Sequence, residues 1–250
     1  MNRRTTLAKT TVCLAAAGAI TAGLTACGSS RPAAHPGSAA PTVKGPATSA
    51  APDPTATGTQ LRALLPAGSD LASVVTVTGA ADSGSNWTAP DALPAPALLG
   101  ADCNVVPQIT ADEASADYRA AYAEETLTEH GVSIAQIVLA ATNPGDATRQ
   151  IAEVRQLAER CQTFSAPNAN GASVSGAVTA SAIPGLGDEA LDVRITATGP
   201  DAANYQQPEL ILVRVGDKLA VISDDYPAAD NGSARKAAQV LAARLTGQPA

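Results

Sequence analysis

The chain has 250 residues, of which 45% are hydrophobic, 16% charged and only 2% aromatic, so Ala, Val, Leu and Ile must pack any core. Its net charge is -7, and the first 26 residues hold Arg3, Arg4 and Lys9 but no acid, leaving 13 basic against 23 acidic side chains, or -10, beyond them. That balance argues against a nucleic-acid partner, whose phosphates need a basic footprint, and against electrostatic adsorption to an anionic membrane.

Residues 1–26 read as a lipoprotein signal peptide, with a basic start and a small-residue apolar stretch from Thr11 to Leu24. The stretch falls short of the roughly 20 residues a spanning helix needs. It ends in Leu24-Thr25-Ala26-Cys27, which resembles the bacterial lipobox. That resemblance implies cleavage before Cys27 and acylation of its thiol, so a lipid anchor holds the protein to the cell membrane on its extracytoplasmic face. Arg3-Arg4 leaves the export route open between the general and the twin-arginine pathways. Residues 27–56 are almost entirely Ala, Pro, Ser, Thr and Gly, a composition expected to stay disordered. Such a tether reaches at most on the order of 90 Å if extended at about 3.1 Å per residue. His35 lies within it.

Residues 57–250 suit one domain. Thr57-Gly58-Thr59-Gln60 reads as a capping box opening a short helix with Leu61, Leu64 and Leu65 on one side. Residues 74–77 form a short strand candidate, and 79–100 read as a long surface loop carrying Trp87. Two strand-like runs, 116–128 and 132–141, flank a hairpin turn at Glu129-His130-Gly131. Asn143-Pro144-Gly145-Asp146 offers an N-cap, a first-turn proline and an acid, predicting a helix whose Ala147, Ile151, Val154, Ala158 and Cys161 share one buried stripe. Strands follow at 174–180, at 191–195 with a solvated face on Asp192, Arg194 and Thr196, and at 210–215 and 219–222 across a Gly216-Asp217 type II′ turn. A last helix starts near Asp230 or Ser233, buries Ala234, Ala238, Leu241 and Leu245, and ends at Gly247. The order predicts an α+β domain, a mostly antiparallel sheet with helices packed on it.

Cys13 leaves with the signal peptide and Cys27 is acylated, so Cys103 and Cys161 are expected to pair in an exported protein. The 59-residue loop they close stabilises the fold by about 4 kcal/mol in the chain-entropy model. Two cysteines without a nearby histidine make no zinc site, so neither metal nor cofactor is expected. Nucleophilic catalysis needs a placed histidine, and only His35, in the tether, and His130, in a turn, exist. Asp188-Glu189 and Asp224-Asp225 are acid–base candidates by residue type alone and read as surface pairs. Gly185-Leu186-Gly187 precedes a strand rather than a helix, so it is a strand-entry turn and not a phosphate cradle. Tyr118 and Tyr122, four apart on one predicted strand, share a face and are candidate ligand contacts with Trp87.

Cys103, the helix end Arg160-Cys161-Gln162-Thr163-Phe164, the stretch Pro184-Gly185-Leu186-Gly187-Asp188-Glu189-Ala190 and Val213-Arg214-Val215-Gly216-Asp217 resemble the PknH-like extracellular sensor domains of actinobacterial receptor kinases and their lipoprotein relatives. The resemblance runs over residues 57–247. It implies an α+β module with a cleft for an unidentified extracytoplasmic ligand, and no catalytic residues. The kinase domains of that family carry two disulfides where this chain makes one, and no kinase segment accompanies the domain here. The expected function is a membrane-anchored, non-catalytic ligand-binding or sensor-like domain. The alternative is a protein-interaction scaffold or accessory lipoprotein in cell-envelope assembly.

Overall fold

The computed structural model describes residues 56–85, 98–167, 173–199, 202, 207–227 and 232–248. In chain order these form α1 (Gly58–Arg62), β1 (Val75–Asp82), α2 (Ala111–Ala116), β2 (Arg119–Glu129), β3 (Val132–Thr142), α3 (Asp146–Arg160), β4 (Thr163–Pro167), β5 (Ser173–Ala182), β6 (Glu189–Thr198), β7 (Glu209–Val215), β8 (Lys218–Asp224) and α4 (Ser233–Leu245), with three short 3-10 turns. The strands make one sheet in the order β1-β2-β3-β8-β7-β6-β5-β4. Every pairing is antiparallel, most of them between strands consecutive in the chain, with β3–β8 the long-range one. The α+β class predicted from the sequence is the one observed.

Helices cover both faces of the sheet. On one, Ala111 and Ala114 of α2 and the Ala147, Ile151, Val154, Ala158 stripe of α3 pack on Val138, Val178, Val193, Leu212 and Val221. On the other, Leu61 of α1 and Ala234, Ala238 and Leu241 of α4 pack on Leu127, Ile137, Ile211 and Ile222. Central strands therefore lack polar alternation: Ile137, Val138, Leu139 and Ala140 are all fully buried. The same double cover corrects the expectation for β6. Arg194 is half exposed, but Asp192 is only 5% exposed because Arg235 of α4 lies over it.

Both two-residue hairpins follow their sequence signals. His130 and Gly131 take φ of 50° and 79°, positive at both central positions as a tight hairpin requires, and Gly216 takes 58° ahead of Asp217. The Thr57–Gln60 capping box closes as predicted.

Five local readings are corrected. The strand placed at 116–128 begins at Arg119, because Thr110 and Glu113 close a capping box that nucleates α2. Tyr118 consequently precedes β2 instead of lying on it. α3 begins at Asp146 with left-handed Gly145 as its N-cap; the Gly145 amide donates to Asp217 Oδ1 at 2.9 Å, so a tertiary bond rather than Asn143 sets the start. β1 continues through Gly79 to Asp82 across a bulge between Thr78 and Ala81, shortening the predicted loop, and at that loop's other end Leu98 is 3% exposed. β4 was not foreseen. It is held as an edge by Phe164, whose ring lies on Gly176 of β5.

Candidate functional site

The face bearing α3 contains a narrow apolar crevice with about 20 Å3 of free room between its walls. One wall is α3, through Val154, Leu157 and Ala158. Its floor is β6 and β7, through Val193, Ile195 and Leu210, and the opposite wall is residues 98–109, through Leu98, Val106 and Ile109. Pro208, Glu209 and Ser223 complete the lining, so its chemistry is aliphatic with two polar residues at the β7–β8 side.

The opposite wall has little regular structure of its own and is fastened to α3 instead. The Cys103–Cys161 disulfide joins the segment to the residue that ends α3, as the cysteine count predicted. Arg160 Nη2 donates to the Ala101 carbonyl at 2.6 Å. Asp102 Oδ1 accepts the Asn104 amide at 2.9 Å, closing a local turn beside Cys103. These bonds hold residues 101–104 against the end of α3.

Tyr118 and Tyr122 lie on this face but outside the cleft lining. The Tyr118 hydroxyl donates to Glu153 of α3, which together with burial raises the phenol above its ordinary range. Arg149 lies 5.3 Å from that ring and Arg119 lies 4.4 Å from the Tyr122 ring. Arg119 also pairs with Asp112 of α2. These contacts lock α2, α3 and the start of β2 together. Trp87, Cys27 and His35 lie outside the described residues. His130 is exposed at the hairpin tip, 3.8 Å from Glu129.

The α4 face carries a roomier, mixed cleft of about 200 Å3, between the Pro184-Gly185-Leu186 turn and Arg235, Ala238 and Gln239. Beside it, buried Asp192 and Glu209 on neighbouring strands share Arg194, at 3.1 Å to each, and Arg235. Burial, followed by the nearby Asp192 charge, pushes the Glu209 carboxyl up. Among the described residues no group of three His, Cys, Asp or Glu side chains is placed to hold a metal ion.

The carboxylate pairs considered for acid–base chemistry are occupied. Asp188 Oδ2 accepts the Gly216 amide at 2.7 Å, and Glu189 pairs with Arg155 at 2.7 Å and Arg214 at 3.5 Å. The Asp188 amide donates to the Arg214 carbonyl at 2.8 Å, and a side chain on Gly187 would collide with that same carbonyl. The Pro184–Ala190 and Val213–Asp217 motifs thus bind each other, tying two hairpins at one end of the sheet. Asp224 is buried and accepts the Tyr226 amide at 2.8 Å, while Asp225 is pushed up by burial.

Sequence reasoning placed Val154 and Ala158 on the buried stripe and did not distinguish core from cleft. Leu98, Val106, Ile109, Ile195 and Leu210 carried no signal, since an aliphatic side chain reads the same in either setting.

No protein-family model matches the chain, and no curated protein matches it. Among solved structures, the crystal structure of the extracellular domain of PknH from Mycobacterium tuberculosis is similar to it, with a TM-score of 0.47 and 11% sequence identity, covering 78% of this chain and 98% of that one.

Proposed function

We propose that this is a lipid-anchored extracytoplasmic binding protein without catalytic activity, which holds a small apolar ligand in the cleft between α3 and residues 98–109. In this reading residues 1–26 are removed, Cys27 carries the acyl chains and residues 27–56 act as a tether for the domain that follows. The observation that carries it is the aliphatic crevice between α3 and residues 98–109, two walls joined at one end by the Cys103–Cys161 disulfide. Its aliphatic lining would select by shape and apolar contact as the walls part around a ligand. The disulfide also suits an oxidising compartment.

Native mass spectrometry of the full chain purified from membranes of an acylating bacterial host tests this reading. The expected result is a mature chain starting at diacylated Cys27, two hydrogens lighter than its reduced mass, with an apolar molecule released on denaturation. Ala158→Trp, which fills the cleft, should abolish that adduct while leaving the acylation. An adduct unaffected by Ala158→Trp would place the ligand elsewhere. A mature acylated chain with no adduct would favour the scaffold reading, and unacylated protein in the soluble fraction would overturn the anchor.

A further inference from the structure

Glu125 of β2 lies between Ala123 and Leu127, both fully buried on the α1/α4 face. It is itself 3% exposed, and its Oε1 atom has no hydrogen-bond partner. Two charged groups lie close enough to act on it electrostatically, Arg244 from α4 and Asp70 from the turn after α1, and neither is bonded to its carboxyl. Arg62 of α1 is turned away to Asp82. Arg244 is already committed: its Nη1 donates to the Leu64 and Leu65 carbonyls and its Nη2 to Asp70 Oδ2 at 2.8 Å. Asp70 Oδ2 in turn accepts the Ala67 amide at 2.6 Å. Arg244 is thus the clasp that holds the end of α1 and the following turn to α4, and Glu125 is a second acid within its field that the clasp does not satisfy.

We propose that Glu125, Arg244 and Asp70 form a proton-operated latch, closed while Glu125 is neutral and opened when Glu125 ionises and draws the Arg244 guanidinium away from Leu64, Leu65 and Asp70. A neutral carboxyl suits the aliphatic surroundings of Glu125, whereas a buried carboxylate must find a cation, and Arg244 is the cation that acts on it. Burial first, with the Asp70 charge adding and Arg244 opposing, raises Glu125 from 4.5 to about 7. The latch therefore switches near neutrality. Residues 58–71, which it holds, are the first part of the domain after the tether segment, so its state changes how firmly the domain's beginning is attached to its body. This proposal does not depend on the cleft being a binding site.

Hydrogen exchange of the full chain, followed by mass spectrometry across pH and corrected for intrinsic rates, tests it. Opening of residues 58–71 should rise about tenfold per pH unit below the midpoint and level off above it, while β7 and β8 stay unchanged. Glu125→Gln should keep the segment protected at every pH. Asp70→Asn, which removes the competing charge, should move the midpoint of the Glu125 carboxyl carbon signal to lower pH, and it supplies the test if Glu125→Gln does not fold. A pH dependence that survives in Glu125→Gln, exchange that rises equally in β7 and β8, or a midpoint unmoved in Asp70→Asn would overturn the latch.

Discussion

The two faces of the sheet are fastened by different chemistry. On the α3 face a disulfide, aliphatic packing and Phe164 against Gly176 hold the layers, and the cleft opens among those contacts. On the α4 face arginines reach from the helix to carboxylates and carbonyls: Arg235 to Asp192 and Glu209, Arg244 to Asp70, Leu64 and Leu65. The α3 face is therefore the one sensitive to reduction, and the α4 face the one whose helix is fastened by arginines. Ion pairs occur on the α3 side too, where Arg119 meets Asp112 and Arg155 meets Glu189, but a covalent bond is added to them there.

The largest test of this contrast is removal of the disulfide. Cys103→Ser and Cys161→Ser should each cost about 4 kcal/mol in denaturant unfolding, and the double variant should cost no more than either single one. Additive losses would mean that the bond is not what fastens the cleft wall. Gly176→Ala comes next, because a methyl there meets the Phe164 ring and the Thr196 carbonyl, 2.7 Å from the new carbon. Overpacking of that kind costs up to about 3 kcal/mol, read as a lowered urea midpoint with unchanged slope.

Arg235→Met probes the other face. It leaves Asp192 and Glu209 to Arg194 alone and should cost about 2 kcal/mol at neutral pH. The cost should shrink in acid as Glu209, already pushed up by burial, protonates, a trend that Cys103→Ser should not share. If both variants show the same pH profile, the division of labour between the faces fails. Thr110→Ala is the smallest, about 1 kcal/mol, since it removes only the cap of six-residue α2; a change in melting temperature of a few degrees at most would report it.

Much of the fold was legible because its signals are local. The Thr57 capping box, the His130-Gly131 and Gly216-Asp217 turns and the α3 and α4 stripes each depend on residues within a few positions of one another, and all form as read. The cysteine pair was legible by elimination, since two thiols were left once Cys13 and Cys27 were assigned to an expected leader and lipid anchor. The strand start misplaced by the Thr110–Glu113 capping box was a local signal overlooked, whereas two other misreadings have a distant cause. Asn143 lost the α3 start to a bond from Asp217, 72 positions away, and Asp192 lost its solvent to Arg235, 43 positions away. Tyr118 and Tyr122 were noticed as rings, but Arg149, Glu153 and Arg119 decide what those rings do.

The sequence by itself determined the class of the domain, the pairing of Cys103 with Cys161 and the places where the chain turns, because hydrophobic period, turn chemistry and cysteine count act within short segments or by simple count. Only the tertiary structure decided that helices cover both faces, that the aliphatic residues of 98–109 and α3 leave a crevice, and that Glu125 sits beneath an arginine already spoken for. Those outcomes depend on which distant side chains share a face of the sheet, and strand order sets that: β3 pairs with β8 across about 80 positions of chain, a choice no local segment encodes.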